Sequence, residues 1–146
     1  MSKTTGPYSK KVLKYFQHPK NQGRMKSPDG VGKVGNPVCG DVMWVYIEIG
    51  ENKKKEKIIK DIKFETFGCV AAIATSSVLT DLVKGKTIED AKKVDNNKIV
   101  KSLGGLPPVK VHCSLLAARA LDLAIKDYEN KNKTNNEKTK RNKKNR

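Results

Sequence analysis

The sequence predicts an α+β fold: a small antiparallel β-sheet of about three strands, covered on one face by helices, with a long C-terminal helix. Two observations carry this expectation. Apolar residues recur with a period of two from Asp41 to Phe67, the signature of half-buried strands. From Val70 onward the period changes to 3.6, that of helices. Strands first and helices after is the order of an α+β domain rather than of alternating βαβ units.

In order along the chain, residues 9 to 17 place Val12, Leu13 and Phe16 at helical spacing, and Pro19 ends the pattern. Residues 18 to 40, rich in Gly, Pro, Asn and Lys, read as a long loop holding a short strand near Lys33-Val34. The stretch Asp41–Ile49 puts Met43, Val45, Ile47 and Ile49 on one side and Val42, Trp44, Tyr46 and Glu48 on the other. A turn at Gly50-Glu51-Asn52-Lys53 leads to a second strand, Ile58–Phe67, with Ile58, Ile62 and Phe64 on one face. A helix follows over Val70–Lys84, carrying Ile73, Val78, Leu79, Leu82 and Val83, with Gly85 as its stop. Thr87 and Asp90 form a variant capping box for a short helix, and Asp95 caps another that ends at Gly104-Gly105. The last helix is expected over Val111–Tyr128, with a core stripe of Leu115, Leu116, Ala120, Leu123, Ala124 and Tyr128.

Composition narrows the function classes. The 146 residues suffice for one core without disulfide support. No apolar run approaches the roughly 20 residues that cross a bilayer. The N-terminus lacks the apolar region of a secretory signal, and three widely spaced cysteines do not make a disulfide framework. The expected location is therefore cytoplasmic, with a mitochondrial-type organelle left open. The net charge of +16 suggests nucleic acid, but its distribution argues otherwise. Residues 131–146 hold eight basic side chains, one acid and nothing apolar, and removing them leaves +9. That stretch reads as a disordered basic Lys/Asn-rich tail beside a domain of residues 1–130. Trp44 and the few other aromatics do not make a base-stacking platform, so no specific nucleic acid and no membrane are expected as partners.

One motif is a decoy. Gly30-Val31-Gly32-Lys33-Val34-Gly35 matches the dinucleotide-binding pattern, which needs a strand before it and a helix after it. Lys26-Ser27-Pro28-Asp29 precedes it and Asn36-Pro37 follows, so these glycines read as loop flexibility.

The cysteines fall at informative places. Cys39 lies in the loop before the first long strand, and Cys69 joins the second strand to the helix that follows it. Cys113 lies in the first turn of the last helix. A helix N-terminus favours thiolate over thiol. A strand-preceding loop and a strand-to-helix corner can share one end of a sheet, to which the last helix can bring Cys113. Asp41 stands two residues after Cys39, and His112 directly precedes Cys113. Three thiolates with a carboxylate and an imidazole suit a four-coordinate site for zinc or an iron–sulfur cluster. The plain alternative is three buried cysteines acting as small hydrophobes. His18 has no such company and reads as a surface residue.

Three segments occur in order: Gly35-Asn-Pro-Val-Cys39-Gly-Asp41-Val-Met, Phe64-Glu-Thr-Phe-Gly-Cys69-Val-Ala-Ala-Ile-Ala-Thr-Ser-Ser, and Leu106-Pro107-Pro108-Val109-Lys110-Val-His112-Cys113-Ser. Together they closely resemble the iron–sulfur cluster assembly scaffold proteins of the IscU/NifU N-terminal family, over about Tyr8 to Tyr128. The resemblance implies a non-catalytic scaffold on which a transient [2Fe–2S] cluster is built from iron and desulfurase-derived sulfur, then passed to acceptor apoproteins. It puts the cluster ligands on Cys39, Cys69 and Cys113, with Asp41 and His112 as further candidates. Cys113, at a helix N-terminus beside His112, is the expected persulfide acceptor. Leu106-Pro107-Pro108-Val109-Lys110 matches the family's docking segment for a specialised heat-shock chaperone. The implied partners are a cysteine desulfurase, that chaperone with its co-chaperone, iron and electron donors of the frataxin-like and ferredoxin kinds, and acceptor apoproteins. The implied assembly is a monomer or a cluster-bridged dimer, with zinc an alternative occupant in the isolated protein.

Two departures stand out. Val70 follows the second cysteine where many members have a small residue, and Ala118, followed by Arg119, stands where many carry an acid. The competing class is a zinc-dependent sulfur-accepting transferase of the SufU type. Members of that branch carry an insertion between the second and third cysteines and lack the Leu-Pro-Pro-Val-Lys segment. Here Cys69 and Cys113 are 44 residues apart and the segment is intact, which favours the scaffold.

Overall fold

Alternation over 41–67 becomes a hairpin of two long strands, β2 (Asp41–Glu51) and β3 (Lys57–Phe67). Asn52 closes it, its Oδ1 accepting from the backbone N–H groups of Lys54 and Glu56 at 2.9 and 3.0 Å. A computed structural model of the chain describes residues 9–36, 41–67, 70–106 and 111–144, with backbone only at 36, 41, 112–114 and 132–144. A third strand, β1 (Gly30–Asn36), pairs antiparallel with β2, so the sheet order is β1-β2-β3. This strand is longer than the short segment expected at Lys33-Val34. Its glycine-rich sequence hides it from propensity.

The helices are α1 (Lys10–Gln17), α2 (Val70–Val83), α3 (Ile88–Lys92), α4 (Asn96–Ser102) and α5 (Val111–Lys144). The expected N-caps form at Thr87 and Asp95. Thr87 accepts from the Asp90 N–H and Asp95 from the Lys98 N–H, at 3.1 and 2.9 Å. Gly85 follows α2 at φ +84°, a left-handed conformation that side chains disfavour. In α1 the apolar stripe is narrower than expected: Val12 is buried, Leu13 half-buried and Phe16 exposed.

α2 is the central element. Its small and apolar residues surround the whole helix, and 10 of its 14 residues are buried. The hydroxyls in it are satisfied locally. Ser76 donates to the Ala72 carbonyl at 2.8 Å, and Thr80 to that of Ser77 at 2.8 Å. Ser77 accepts from the Lys20 N–H at 2.6 Å, which ties the preceding loop to α2. Among the described residues no buried side-chain nitrogen or oxygen lacks a partner.

The sheet meets these helices through Met43, Val45, Ile47, Ile59, Ile62 and Phe64, all fully buried. The expected inward residue Ile58 gives way to Ile59. A bulge lies where Glu48 pairs with Asp61 but Ile49 pairs with Ile59, leaving Lys60 extra. One extra residue inverts which side chains face the core.

The α5 face also differs from expectation. Leu115 and Leu123 are 47% and 40% exposed, while Ala117, Leu121 and Ile125 are buried beside Leu116, Ala120 and Ala124. The cause lies in β1. A Cβ on Gly32 would overlap the Ala120 carbonyl, and one on Gly30 that of Ala124. The two glycines are a seat for α5 rather than loop flexibility, and the alanines face it. Asp127 anchors the seat by accepting from the Val31 N–H at 2.9 Å. Beyond Tyr128, α5 continues as helix through the stretch read as a disordered tail, to Lys144. No Gly or Pro interrupts those residues, and Lys, Arg and Glu are good helix formers.

Candidate functional site

Strand register determines where the three cysteine-bearing junctions stand. Asn36 pairs with Asp41 across the β1–β2 turn that holds Cys39, and Val42 pairs with Phe67, two residues before Cys69. Both junctions therefore belong to the same end of the sheet. The glycine seat orients α5 toward that end. Gly30 meets Ala124 and Gly32 meets Ala120, so the helix runs antiparallel to β1. From Ala120 back to Val111 is about 13 Å at a helical rise of 1.5 Å per residue. From Gly32 to Asn36 is also about 13 Å at a strand rise of about 3.3 Å. The first turn of α5, where the backbone places His112 and Cys113, thus reaches the level of Asn36.

Cys39, Cys69 and Pro107–Lys110 lie outside the described residues, as do the side chains of Asp41, His112 and Cys113. Asp41 opens β2, and Leu106 packs against the core at the end of the α4–α5 connection. His18, expected at the surface, is exposed. Among the described residues no group of three or more His, Cys, Asp or Glu converges on a metal site. The first turn of α5 carries no acidic residue.

Around this end the sheet is braced. Thr66 donates to the Val42 carbonyl at 2.8 Å, tying the last residues of β3 to the first of β2. Phe67 stands 73% exposed and meets Trp44 edge-on at 5.8 Å between ring centroids. Lys33 lies over the Trp44 ring at 5.4 Å, a cation–π contact on the side of the sheet away from the helices.

Farther along that side, Tyr46 donates to Glu65 at 2.5 Å, and Arg24 donates to the same carboxylate oxygen at 3.2 Å. These bonds, Tyr46 first and Arg24 next, hold the Glu65 carboxyl below its ordinary range. Burial chiefly pushes the Tyr46 phenol up. Tyr46 is buried although it lies on the side of the sheet away from the helices. The clasp escaped the sequence reading because Arg24, Tyr46 and Glu65 are brought together only by tertiary structure. The glycine seat, by contrast, had a signal in its G-x-G spacing and in Ala117, Ala120 and Ala124 at helical intervals.

A family model of the NifU-like N terminal domain matches residues 7–135. Iron-sulfur cluster assembly scaffold protein IscU 1 of Archaeoglobus fulgidus is 56% identical over 125 residues, covering 86% of this chain and 78% of the relative. The IscU scaffold protein of Rickettsia prowazekii is 51% identical over 127 residues, covering 85% and 93%. The crystal structure of a nitrogen-fixing NifU-like protein (N-terminal) from Brucella abortus superposes with a TM-score of 0.64 at 24% identity, covering 86% of this chain and 96% of that one. It supports the fold alone. Fold, junction geometry and these relatives agree: the chain belongs to the NifU-like N-terminal domain family, that of the IscU/NifU iron–sulfur cluster assembly scaffolds.

Proposed function

We propose that this protein builds a [2Fe–2S] cluster from iron and persulfide sulfur and hands it to acceptor apoproteins, acting as a scaffold rather than a catalyst. The observation that supports the reading is that Asn36, Asp41 and Phe67, which flank the two junctions, lie at one end of the sheet, toward which α5 begins. The cluster is cargo. Thiolates of Cys39, Cys69 and Cys113 suit iron, and Asp41 or His112 offers a fourth, more exchangeable donor. A carrier must release what it holds, so a mismatched fourth donor serves it better than a fourth thiolate. The same donors take zinc in the isolated protein.

Sulfur enters at Cys113. Its thiolate attacks the outer sulfur of a desulfurase persulfide, a new S–S bond forms, and the donor cysteine leaves as thiolate. Two electrons from a ferredoxin-like donor then reduce that sulfur to sulfide. Leu106-Pro107-Pro108-Val109-Lys110 serves a chaperone, its two prolines lowering the cost of ordering an extended segment in a groove. The scaffold occupies residues 1–130 and the basic stretch 131–146 is accessory. No helix among the described residues is long and apolar enough to cross a membrane, in keeping with work in the cytoplasm or an organelle matrix.

Anaerobic reconstitution with iron, cysteine and a desulfurase tests this. Visible charge-transfer bands with matching iron and sulfide are expected. Uptake of a single zinc with no such bands would move the protein to the sulfur-accepting transferases. Mass spectrometry after a desulfurase reaction without iron should find the added sulfur on Cys113, and a majority on Cys39 or Cys69 would reassign the acceptor.

A further inference from the structure

α5 turns its Leu115, Ala118, Arg119 and Asp122 flank away from the sheet. Between this flank and the α3–α4 junction lies a cavity of about 280 Å³, open to solvent on one side. Its floor is apolar, made by Ala91, Val94, Leu121 and Ile125. Leu115 adds a large apolar side chain that is 47% exposed at the rim. The volume falls just under the roughly 300–1,000 Å³ of small-ligand pockets, which bury most of their ligand. A groove this size and this open suits one or two protruding side chains better than a cofactor.

The charges around the rim identify which side chains. Lys92 pairs with Glu129 at 3.2 Å and Asp122 with Lys126 at 3.1 Å. Asp95 caps α4 through the Lys98 N–H. Arg119 differs from the other rim cation, Lys92. It is exposed, and among the described residues it makes no ion pair or hydrogen bond. Among the described residues its guanidinium is therefore the rim cation left to a visitor, and its planar fork matches a carboxylate. Ala118 beside it is small enough to leave the groove open.

We infer that this groove is a docking site for a partner-protein segment that presents an apolar side chain next to a carboxylate. The apolar group fills the floor between Leu115 and Ile125, while the carboxylate meets Arg119. Apolar anchors in desolvated pockets carry most of the energy of such contacts, and the charge pair adds selectivity. Leu115 follows Cys113 by two residues, so an occupant flanks the first turn of α5. The site does not depend on what the cysteines hold.

Selection of random dodecapeptides displayed on phage against the full chain is the test, with the enriched peptides then synthesised as labelled probes. Enriched sequences should place Leu, Ile or Phe within four residues of Asp or Glu. Amide shifts on binding should be confined to residues 91–96 and 115–125. Arg119→Glu should weaken binding at least 10-fold, and a peptide with Lys in place of its acid should regain affinity for that variant. Leu115→Ser should weaken every selected peptide. Arg119→Gln serves as the milder variant, with melting temperature measured on each. Enrichment of peptides without acids, shifts on the uncovered sheet face near Phe67, unchanged affinity in Arg119→Glu, or no enrichment at all would overturn the proposal.

Discussion

A single methyl group at Gly32 would meet the backbone of α5 with no side chain able to yield. Overpacking of this kind costs about 1–3 kcal/mol, so Gly32→Ala should lower the melting temperature by several degrees. A larger effect on cluster yield than on stability would follow from displacing the first turn of α5. At Asp41 the expectation is opposite in kind. A carboxylate beside a thiolate site is a harder and more exchangeable iron ligand than sulfur. Asp41→Ala should therefore still assemble a cluster, release it more slowly to chelators and transfer it more slowly to an apoprotein, with melting unchanged. A cluster lost faster than in the parent would refute that role. A fall in melting temperature with normal transfer would reduce Asp41 to a strand-start residue bonding nearby backbone.

Between elements, the clasp of Glu65 with Tyr46 and Arg24 fastens the segment before β1 to β3. The Glu65 carboxyl titrates lower in the folded chain than in the unfolded one. Its contribution is complete above the unfolded value and disappears as pH falls through the folded value. Glu65→Gln should accordingly destabilise near neutral pH and make the acid limb of melting temperature against pH shallower. An unchanged limb would show the clasp to be inert. Elements with local signals were legible in the sequence. Thr and Asp caps, Gly85 and the alternation of β2 depend on neighbours in the chain. β1 was nearly invisible because its glycines answer to α5 rather than to strand propensity. The inward face of β3 was misjudged because the bulge at Lys60 depends on pairing with β2. The face of α5 was misjudged because Leu115 and Leu123 follow helical spacing but the glycine seat selects the alanines. For the candidate site, the placement of each cysteine at a junction was readable. That the junctions share one end required register and the crossing of α5.

For the whole molecule, charge is unevenly shared: +16 falls to +9 without residues 131–146. Truncation after Asn130 should leave melting temperature and cluster yield unchanged while flattening the salt dependence of binding to acidic partners. A clear loss of either would assign the terminal part of α5 a packing or partner contact. The region that remains contains a contact of an unusual sort, since β1 and α5 touch through main chain at Gly30 and Gly32. Side-chain interfaces adjust by rotamer changes that multiply on warming. Main chain against main chain offers no such slack. The spacing between the end of β1 and the first turn of α5 should then act as a fixed gauge, holding its length until the domain melts as a whole. Amide hydrogens of Ala120 to Ala124 would exchange only through global opening, at the rate of the slowest amides in the sheet.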